Sequence, residues 1–138
     1  MLILTHTMML GLGVILGMYL PRVLGRVKVD RRIVQLEALL RQNPDDPETY
    51  IAIANAYAYQ GRTDAAIHAY ERAIKLAPDS VRPYLSLASV YATKQEYPLA
   101  IEWLEKARAV AEKHSPAVVP EIDEQMAVLK RWQATEAP

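Results

Sequence analysis

The three histidines are the side chains of this chain best suited to proton transfer or metal binding. Two histidines four residues apart on one helix face would suit zinc, but His6, His68 and His114 are too widely spaced to form such a pair. His68 falls on the polar face of a predicted helix, and His114 falls at a helix end, where a cation is favourable. The chain contains no cysteine, which excludes disulfides, thiolate catalysis and cysteine-based zinc sites.

A second candidate for chemistry is the carboxylate cluster at Asp45, Asp46 and Glu48, because hard divalent cations prefer carboxylate ligands. A capped helix start is the simpler interpretation: Asp46 would cap the helix, Pro47 would occupy its first position and Glu48 would oppose its dipole. No glycine-rich phosphate loop appears in the sequence. We therefore predict no catalytic residue, no metal site and no cofactor, and a protein that is not an enzyme.

Length and charge limit the class of protein. A chain of 138 residues is long enough for one domain. Its 16 Lys and Arg residues balance its 16 Asp and Glu residues, which argues against a nucleic-acid partner, since such proteins carry a clustered basic excess. The charges are unevenly placed. Residues 1–21 contain none apart from His6 when it is protonated, whereas the rest of the chain is as charged as a soluble protein.

The uncharged N-terminal segment predicts a membrane anchor. A helix over residues 1–20 would be about 30 Å long, close to the hydrocarbon thickness of a bilayer. Its polar residues, 5–7, lie near one end, and Tyr19 lies at the other, a usual depth for an interfacial aromatic side chain. A cleaved signal peptide and a buried core helix are the alternatives, but the segment lacks the basic start and small-residue cleavage site of a signal peptide. We predict an anchor over residues 1–24.

Basic residues around the end of this anchor predict its orientation. They are Arg22, Arg26, Lys28, Arg31 and Arg32. Because flanks rich in Lys and Arg stay in the cytoplasm, we predict a single-pass membrane protein with a cytoplasmic C-terminal domain. The lipid bilayer is then a partner of the anchor and of the basic flank. A domain outside the cytoplasm is the alternative against which this flank argues.

Gly13 and Gly17 are four residues apart within the predicted anchor. Small residues at this spacing let two membrane helices approach closely. They predict helix packing in the membrane, either within a homo-oligomer or against another subunit of a membrane complex. The alternative is that glycine is simply common in membrane helices.

A 34-residue period organises the chain after the anchor. It is carried by three sets of residues: Ile33, Ile67 and Ile101; Leu36, Tyr70 and Leu104; and Glu37, Glu71 and Glu105. A period of this length indicates supersecondary units that stack, and such arrays build binding surfaces more readily than catalytic pockets. Apolar residues within each unit recur at helical spacing, which predicts two antiparallel helices per unit.

Residues 47–80 resemble the tetratricopeptide repeat. The pattern positions of that family hold, in order, Tyr50, Ile53, Ala54, Tyr57, Gly61, Ala66, Tyr70, Ala73 and Pro78. Residues 81–114 form a second copy, with Gln95 where the family usually has glycine and Glu112 where it usually has proline. Residues 30–44 resemble the second half of an earlier repeat, which would cover the open face of the first full one.

The predicted fold class is all-α: an N-terminal transmembrane helix, then a short tetratricopeptide-repeat α-solenoid of antiparallel helix pairs with a C-terminal capping helix. Pro116 and Pro120 predict a break before the capping helix, whose apolar stripe consists of Ile122, Met126, Leu129 and Trp132. The predicted domains are an anchor at 1–24, a basic juxtamembrane segment with a half-repeat helix at 25–46, repeats at 47–80 and 81–114, and a capping helix with a frayed tail at 115–138.

The resemblance implies a partner-binding groove on the first helix of each repeat. Its lining positions are Glu48, Ile51, Asn55 and Tyr59 in the first copy and Arg82, Leu85, Ser89 and Thr93 in the second. In this family an asparagine at the position of Asn55 hydrogen-bonds a ligand backbone. Ile51 and Ser86 stand where a clamp for C-terminal carboxylates needs lysine and asparagine, which argues against that ligand. The mixed groove suits a helix or an extended segment with apolar anchors, unless Ile51 and Tyr59 pack between repeats.

Two functional hypotheses from different classes fit these features. The first is a membrane-anchored scaffold or adaptor that binds a protein partner through the groove, for example during assembly of a membrane complex. The second is a permanent accessory subunit of a larger membrane protein complex, docked through its transmembrane helix. No nucleic-acid partner is expected under either hypothesis.

Overall fold

The computed structural model describes residues 30–136, which are helical except for short connections. In chain order the elements are α1 at residues 30–42, α2 at Pro47–Tyr59, α3 at Thr63–Leu76, α4 at Val81–Thr93, α5 at Tyr97–His114, a 3-10 turn at Pro116–Val118 and α6 at Val119–Glu136. The predicted anchor at 1–24, with Gly13 and Gly17, lies outside the described residues. None of the helices within 30–136 is long and apolar enough to span a membrane.

Neighbouring helices in the chain are also neighbours in space. α2 packs on α3 and α4 packs on α5, and these two pairs meet where α3 contacts α4. α6 packs along α5 at the C-terminal end. An array in which each unit contacts the next is a solenoid. The prediction of an all-α solenoid is therefore confirmed for residues 30–136.

The start of α2 follows from its capping residues. Asp46 has an extended backbone, and its carboxylate accepts the N–H of Glu48 at 3.2 Å. The hydroxyl of Thr49 also donates to this carboxylate, and Pro47 occupies the first helical position. Each contact satisfies or avoids an N–H that a helix start leaves unpaired. The acidic cluster thus holds a helix terminus, as the simpler interpretation of the sequence predicted.

α1 covers one face of the first repeat. Ile33 is 5% exposed and belongs to the same core cluster as Ile53 and Tyr70. The hydroxyl of Tyr57 donates to Oε1 of Glu37 at 3.1 Å, which ties α2 to α1. Burial raises the pKa of Tyr57, and the hydrogen bond to Glu37 raises it further. These contacts give α1 the covering position that its half-repeat pattern implied.

Fully buried alanines let the helices of each pair approach closely. Ala66 and Ala73 in α3, and Ala100 and Ala107 in α5, are all 0% exposed. The members of each pair lie 34 residues apart in sequence, so the same close contact recurs in both repeats. A larger side chain at any of them would overpack the contact, at a cost of about 1–3 kcal/mol.

The first helix of repeat one ends at a residue in the left-handed conformation. Gly61 has a φ of 74°, and its N–H donates to the carbonyl of Ala58 at 3.0 Å. The N–H of Arg62 donates to the carbonyl of Tyr57 at 2.9 Å. This pair of bonds is a Schellman motif, which satisfies carbonyls that the helix end would leave unpaired.

The corresponding turn of repeat two has the same geometry without glycine. Gln95 has a φ of 62°, and its N–H donates to the carbonyl of Ala92 at 3.0 Å. The N–H of Glu96 donates to the carbonyl of Tyr91, also at 3.0 Å. Gln95 is the one residue other than glycine with a positive φ in the described part of the chain. The turn therefore closes with a residue that strains the backbone by about 1–2 kcal/mol.

The C-terminal helix begins closer to repeat two than its prolines predicted. Pro116 opens the 3-10 turn, so the predicted break occurs there. The predicted break at Pro120 was wrong, because Pro120 lies in the first turn of α6, where a missing N–H costs little. Ile122 and Leu129 are buried, as the apolar stripe predicted, whereas Trp132 is 51% exposed.

Candidate protein-interaction groove

An open groove with a volume of about 710 Å³ lies between α4 and α6. α4 contributes Arg82, Leu85, Ser86, Ala88, Ser89 and Ala92, α5 contributes Leu104, and α6 contributes Glu121, Glu124, Gln125, Val128, Leu129 and Trp132. Binding clefts in proteins typically measure about 300–1,000 Å³, so the volume fits a binding site. We call this surface the α4–α6 groove.

The two walls of the groove repeat one spacing. α4 lines it with residues at positions i, i+3, i+4 and i+7, starting from Arg82, and α6 does so starting from Glu121. Residues at these positions lie on one face of a helix. Each wall is therefore one continuous helix face, about 10 Å long over this spacing.

Three of the residues assigned to the groove by resemblance do line it: Arg82, Leu85 and Ser89. Leu85 is half-buried, and Ser89 is exposed. Arg82 forms an ion pair with Glu48 of α2, a fourth predicted residue. The side chains of this pair are 59% and 61% exposed, so solvent screens the attraction and the pair adds little to stability. Its effect is to neutralise the charge of Arg82 at the edge of the groove.

Ile51 does not line the groove, contrary to the prediction. Its side chain is 2% exposed and belongs to the core cluster that contains Ile53 and Leu87. α2 has buried residues around more of its circumference than the resemblance implied, because α1 and α3 both depend on it for cover. The alternative interpretation, packing between repeats, therefore holds for Ile51. It does not hold for Tyr59, which is 73% exposed at the end of α2.

Asn55 and Thr93 lie on exposed helix faces outside the α4–α6 groove. The Oδ1 atom of Asn55 accepts the hydroxyl of Tyr70 at 2.5 Å, so its amide oxygen is already used within the repeat. Burial raises the pKa of Tyr70, which keeps that hydroxyl protonated as the donor. The hydroxyl of Thr93 donates to the carbonyl of Ser89 at 2.9 Å. Thr93 also borders a separate cavity of about 80 Å³ beside Lys94.

Sequence reasoning missed the whole second wall of the groove. It treated α6 as a cap with one buried stripe, because the 34-residue period stops at residue 114. The available signal was the exposed side of that stripe, where Glu121, Glu124 and Val128 recur at the same spacing as on α4. Trp132 was placed on the buried stripe, but it lies beside the groove and contacts the ring of Tyr97 at 6.0 Å between centroids.

Negative charge dominates the α4–α6 groove. Glu121 and Glu124 are exposed, and neither forms an ion pair within residues 30–136. Arg82 is the single cation of the lining, and it is paired with Glu48. Within the described residues, no group of three or more potential ligands is arranged to hold a metal ion. The groove thus combines an apolar surface with two carboxylates whose charge is not balanced nearby.

Comparison with known families places these helices in context. Residues 51–114 match the tetratricopeptide repeat family. That match confirms the predicted tetratricopeptide repeats over both helix pairs except for the first four residues of α2. No curated protein sequence matches the chain.

Solved structures with the same fold come from several sources. The type III secretion translocator chaperone SycD of Yersinia enterocolitica superimposes with a TM-score of 0.70 at 16% identity, over 78% of this chain and 75% of SycD. The same chaperone with a peptide of the translocator YopD gives 0.70 at 15% identity, over 89% and 95%. The TPR2B domain of yeast Sti1, solved in a complex with pHsp70, gives 0.69 at 24% identity, over 84% and 90%. Identities this low establish the fold alone.

Proposed function

We propose that this chain is a membrane-anchored tetratricopeptide-repeat adaptor whose α4–α6 groove binds a segment of a partner protein. The observation that supports the proposal is the groove itself, with Leu85 and Trp132 offering apolar surface between two walls of polar residues. Covering such surface with apolar side chains gains about 25 cal/mol per Å² removed from water. Partner binding through helical repeats of this fold is also seen in SycD, which was solved with a peptide of YopD.

Support for the anchor comes from the sequence. Residues 1–20 are long and apolar enough to span a bilayer, and the basic residues that follow favour a cytoplasmic repeat domain. An anchor would confine the groove to the membrane surface and raise its effective concentration for partners there. Protease treatment of spheroplasts tests this directly, because a cytoplasmic domain should be protected until the membrane is opened.

Site-specific cross-linking tests the groove as the binding surface. A photo-reactive amino acid at Ser89, inside the groove, should capture a defined partner in native membranes. The same amino acid at Glu105, exposed on α5 outside the groove, serves as the control. Capture of the same partner with equal yield from both positions would show that the groove is not the site.

A charge placed in the groove should abolish capture. Leu85→Glu puts a carboxylate into the apolar part of the lining, and we expect cross-linking from Ser89 to fall by about tenfold or more, in line with the effect of truncating an interface anchor. Leu99→Glu makes the same chemical change at a position of α5 that is 40% exposed and outside the lining, so it should leave capture intact. Circular dichroism of both variants checks that the helices persist.

Stoichiometry separates an adaptor from a permanent subunit. Native gels of membranes solubilised in mild detergent should show this chain in a fraction of the partner complexes if it is an adaptor. Co-migration with every copy of one complex, unaffected by salt and by Leu85→Glu, would instead identify an accessory subunit held through its membrane helix.

A further inference from the structure

The polarity of the α4–α6 groove narrows the class of partner, if the groove is the binding surface proposed above. Its two walls differ in charge. The α4 wall carries Arg82, which Glu48 neutralises, and the α6 wall carries Glu121 and Glu124. A bound segment would therefore face a net charge of about −2 along one edge of the groove.

The apolar part of the groove lies between these charges. Leu85 and Val128 are half-buried, Leu129 is 6% exposed, and Trp132 is 51% exposed. Trp132 is the largest apolar side chain of the lining, and aromatic side chains of this kind commonly anchor interfaces. A partner must therefore present apolar side chains on one face.

A carboxylate at the edge of a partly desolvated groove repels anionic ligands and attracts cationic ones. Glu121 also lies in the first turn of α6, where the helix dipole favours an anion. Glu124 lies one turn further along the helix and has no such explanation. We propose that the α4–α6 groove binds a cationic amphipathic segment of a partner protein, with apolar side chains against Leu85 and Trp132 and Lys or Arg side chains beside Glu121 and Glu124.

This polarity is the opposite of what a C-terminal carboxylate needs. Such a ligand requires cations in the groove, and the one cation of the lining is already paired with Glu48. An anionic membrane surface is disfavoured for the same reason. The proposed ligand is thus distinguished from both by the sign of a single charge.

Peptide binding by the full chain in micelles of a neutral detergent tests the proposal. The chain has two tryptophans, and Trp103→Phe leaves Trp132 as the single reporter inside the groove. The probes are a peptide of about 14 residues composed of Leu, Ala and Lys, and a matched peptide in which every Lys is replaced by Glu. We expect the Lys peptide to shift the emission of Trp132 and to bind about tenfold more tightly than the Glu peptide, with the preference shrinking as salt is raised.

Charge reversal in the groove provides the matched control. Glu124→Lys should remove most of the preference for the Lys peptide, whereas Glu105→Lys makes the same change on an exposed site of α5 outside the lining and should leave the preference unchanged. Equal binding of the two peptides, tighter binding of the Glu peptide, or no response of Trp132 to either would overturn the proposal. So would a loss of preference in Glu105→Lys that equals the loss in Glu124→Lys.

The outcome is separable from that of the adaptor proposal. If Ser89 still captures a partner in a manner that depends on Leu85, while the peptides show no charge preference, the groove binds a partner of different chemistry and only the inference on charge fails. If the emission of Trp132 changes with protein concentration in the absence of peptide, a second copy of the chain occupies the groove, and the inference fails as well.

Discussion

The two repeats, 47–80 and 81–114, close their first helices with the same hydrogen bonds but with different residues. Gly61 adopts a φ of 74° in the first turn, and Gln95 adopts a φ of 62° in the second. Glycine takes this conformation freely, whereas glutamine does so at a cost of about 1–2 kcal/mol. The comparison teaches that the surrounding hydrogen bonds and packing fix the turn, and that glycine lowers its cost without being required for it.

A second difference between the repeats explains why the groove lies on one side. α3 has 14 residues and α5 has 18. α4 begins 34 residues after α2, from 47 to 81, but α6 begins 38 residues after α4, from 81 to 119. α2 and α4 are joined at their exposed starts by the ion pair of Glu48 and Arg82, while the face between α4 and α6 stays open. One repeat is thus a closed structural unit, and the next provides a wall of the groove.

The largest effect is expected from the packing of repeat two. Leu104 is 1% exposed, and Leu104→Ala should lower the free energy of unfolding by about 2–5 kcal/mol, because it leaves a cavity in the core. Tyr70 holds the equivalent position 34 residues earlier, and Tyr70→Phe should cost only about 1 kcal/mol, since it removes one hydrogen bond to Asn55 and keeps the ring. Urea unfolding followed by circular dichroism measures both.

Leu99 is the control for Leu104, since it lies on the same helix and is 40% exposed. Leu99→Ala should cost about 0.5 kcal/mol, as is usual for surface changes. If Leu99→Ala and Leu104→Ala had equal effects, the assignment of Leu104 to the core between α5 and α6 would be wrong.

The two turns should respond in opposite directions to substitution. Gly61→Ala should destabilise the fold by about 1 kcal/mol, entirely through the backbone, because a Cβ at Gly61 meets no atom within 4 Å. Gln95→Gly should stabilise it by less, up to about 1 kcal/mol, since relief of strain is partly offset by the greater chain entropy of glycine. Thermal unfolding of the two variants and of the double variant gives the comparison. Destabilisation by Gln95→Gly would show that the glutamine side chain contributes more than its backbone costs.

The smallest effect concerns alkaline pH. Burial raises the pKa of Tyr57 and Tyr70 in repeat one and of Tyr84 in repeat two above the ordinary value of 10.0. Because the folded state favours the neutral phenol, this stabilisation is complete below pH 10.0 and is lost as pH rises through the higher folded values. The urea midpoint should therefore fall above about pH 10.

Tyrosine variants assign that alkaline loss to one repeat or the other. The pair Tyr57→Phe and Tyr70→Phe should reduce the dependence on pH more than Tyr84→Phe does, because repeat one contains two of the three shifted groups. Absorbance of the phenolate, recorded in the same titration, reports whether the transition follows tyrosine ionisation. An equal reduction from both sets of variants would contradict this division.

Much of the fold could be predicted from local chemistry. The 34-residue period located α2 to α5, and the type and order of residues at Asp46 and Pro47 fixed the start of α2. These features depend on neighbours within one or two helical turns, which sequence shows directly. The left-handed conformation of Gln95 follows from the period as well, since the residue stands where Gly61 stands in repeat one.

The groove was less predictable because it depends on distances between helices. Ile51 was assigned to the lining from its pattern position, but its burial follows from how α1 and α3 surround α2. The second wall was missed because four extra residues in α5 shift α6 out of the period. A fixed period reveals the repeated contacts and hides the contact that departs from it.

The burial of Ile33 has a consequence for how far the repeat domain can reach. The described fold is already packed at this residue, which is 5% exposed, so the rigid body includes nearly all of α1. Between the predicted anchor, which ends at residue 24, and the first helical residue, 30, lie five residues, whose contour length is at most about 18 Å. With so short a linker, the proposed anchor would keep the body within two helix diameters of the lipid, so that a partner protein has to bring its own binding segment down to the headgroups.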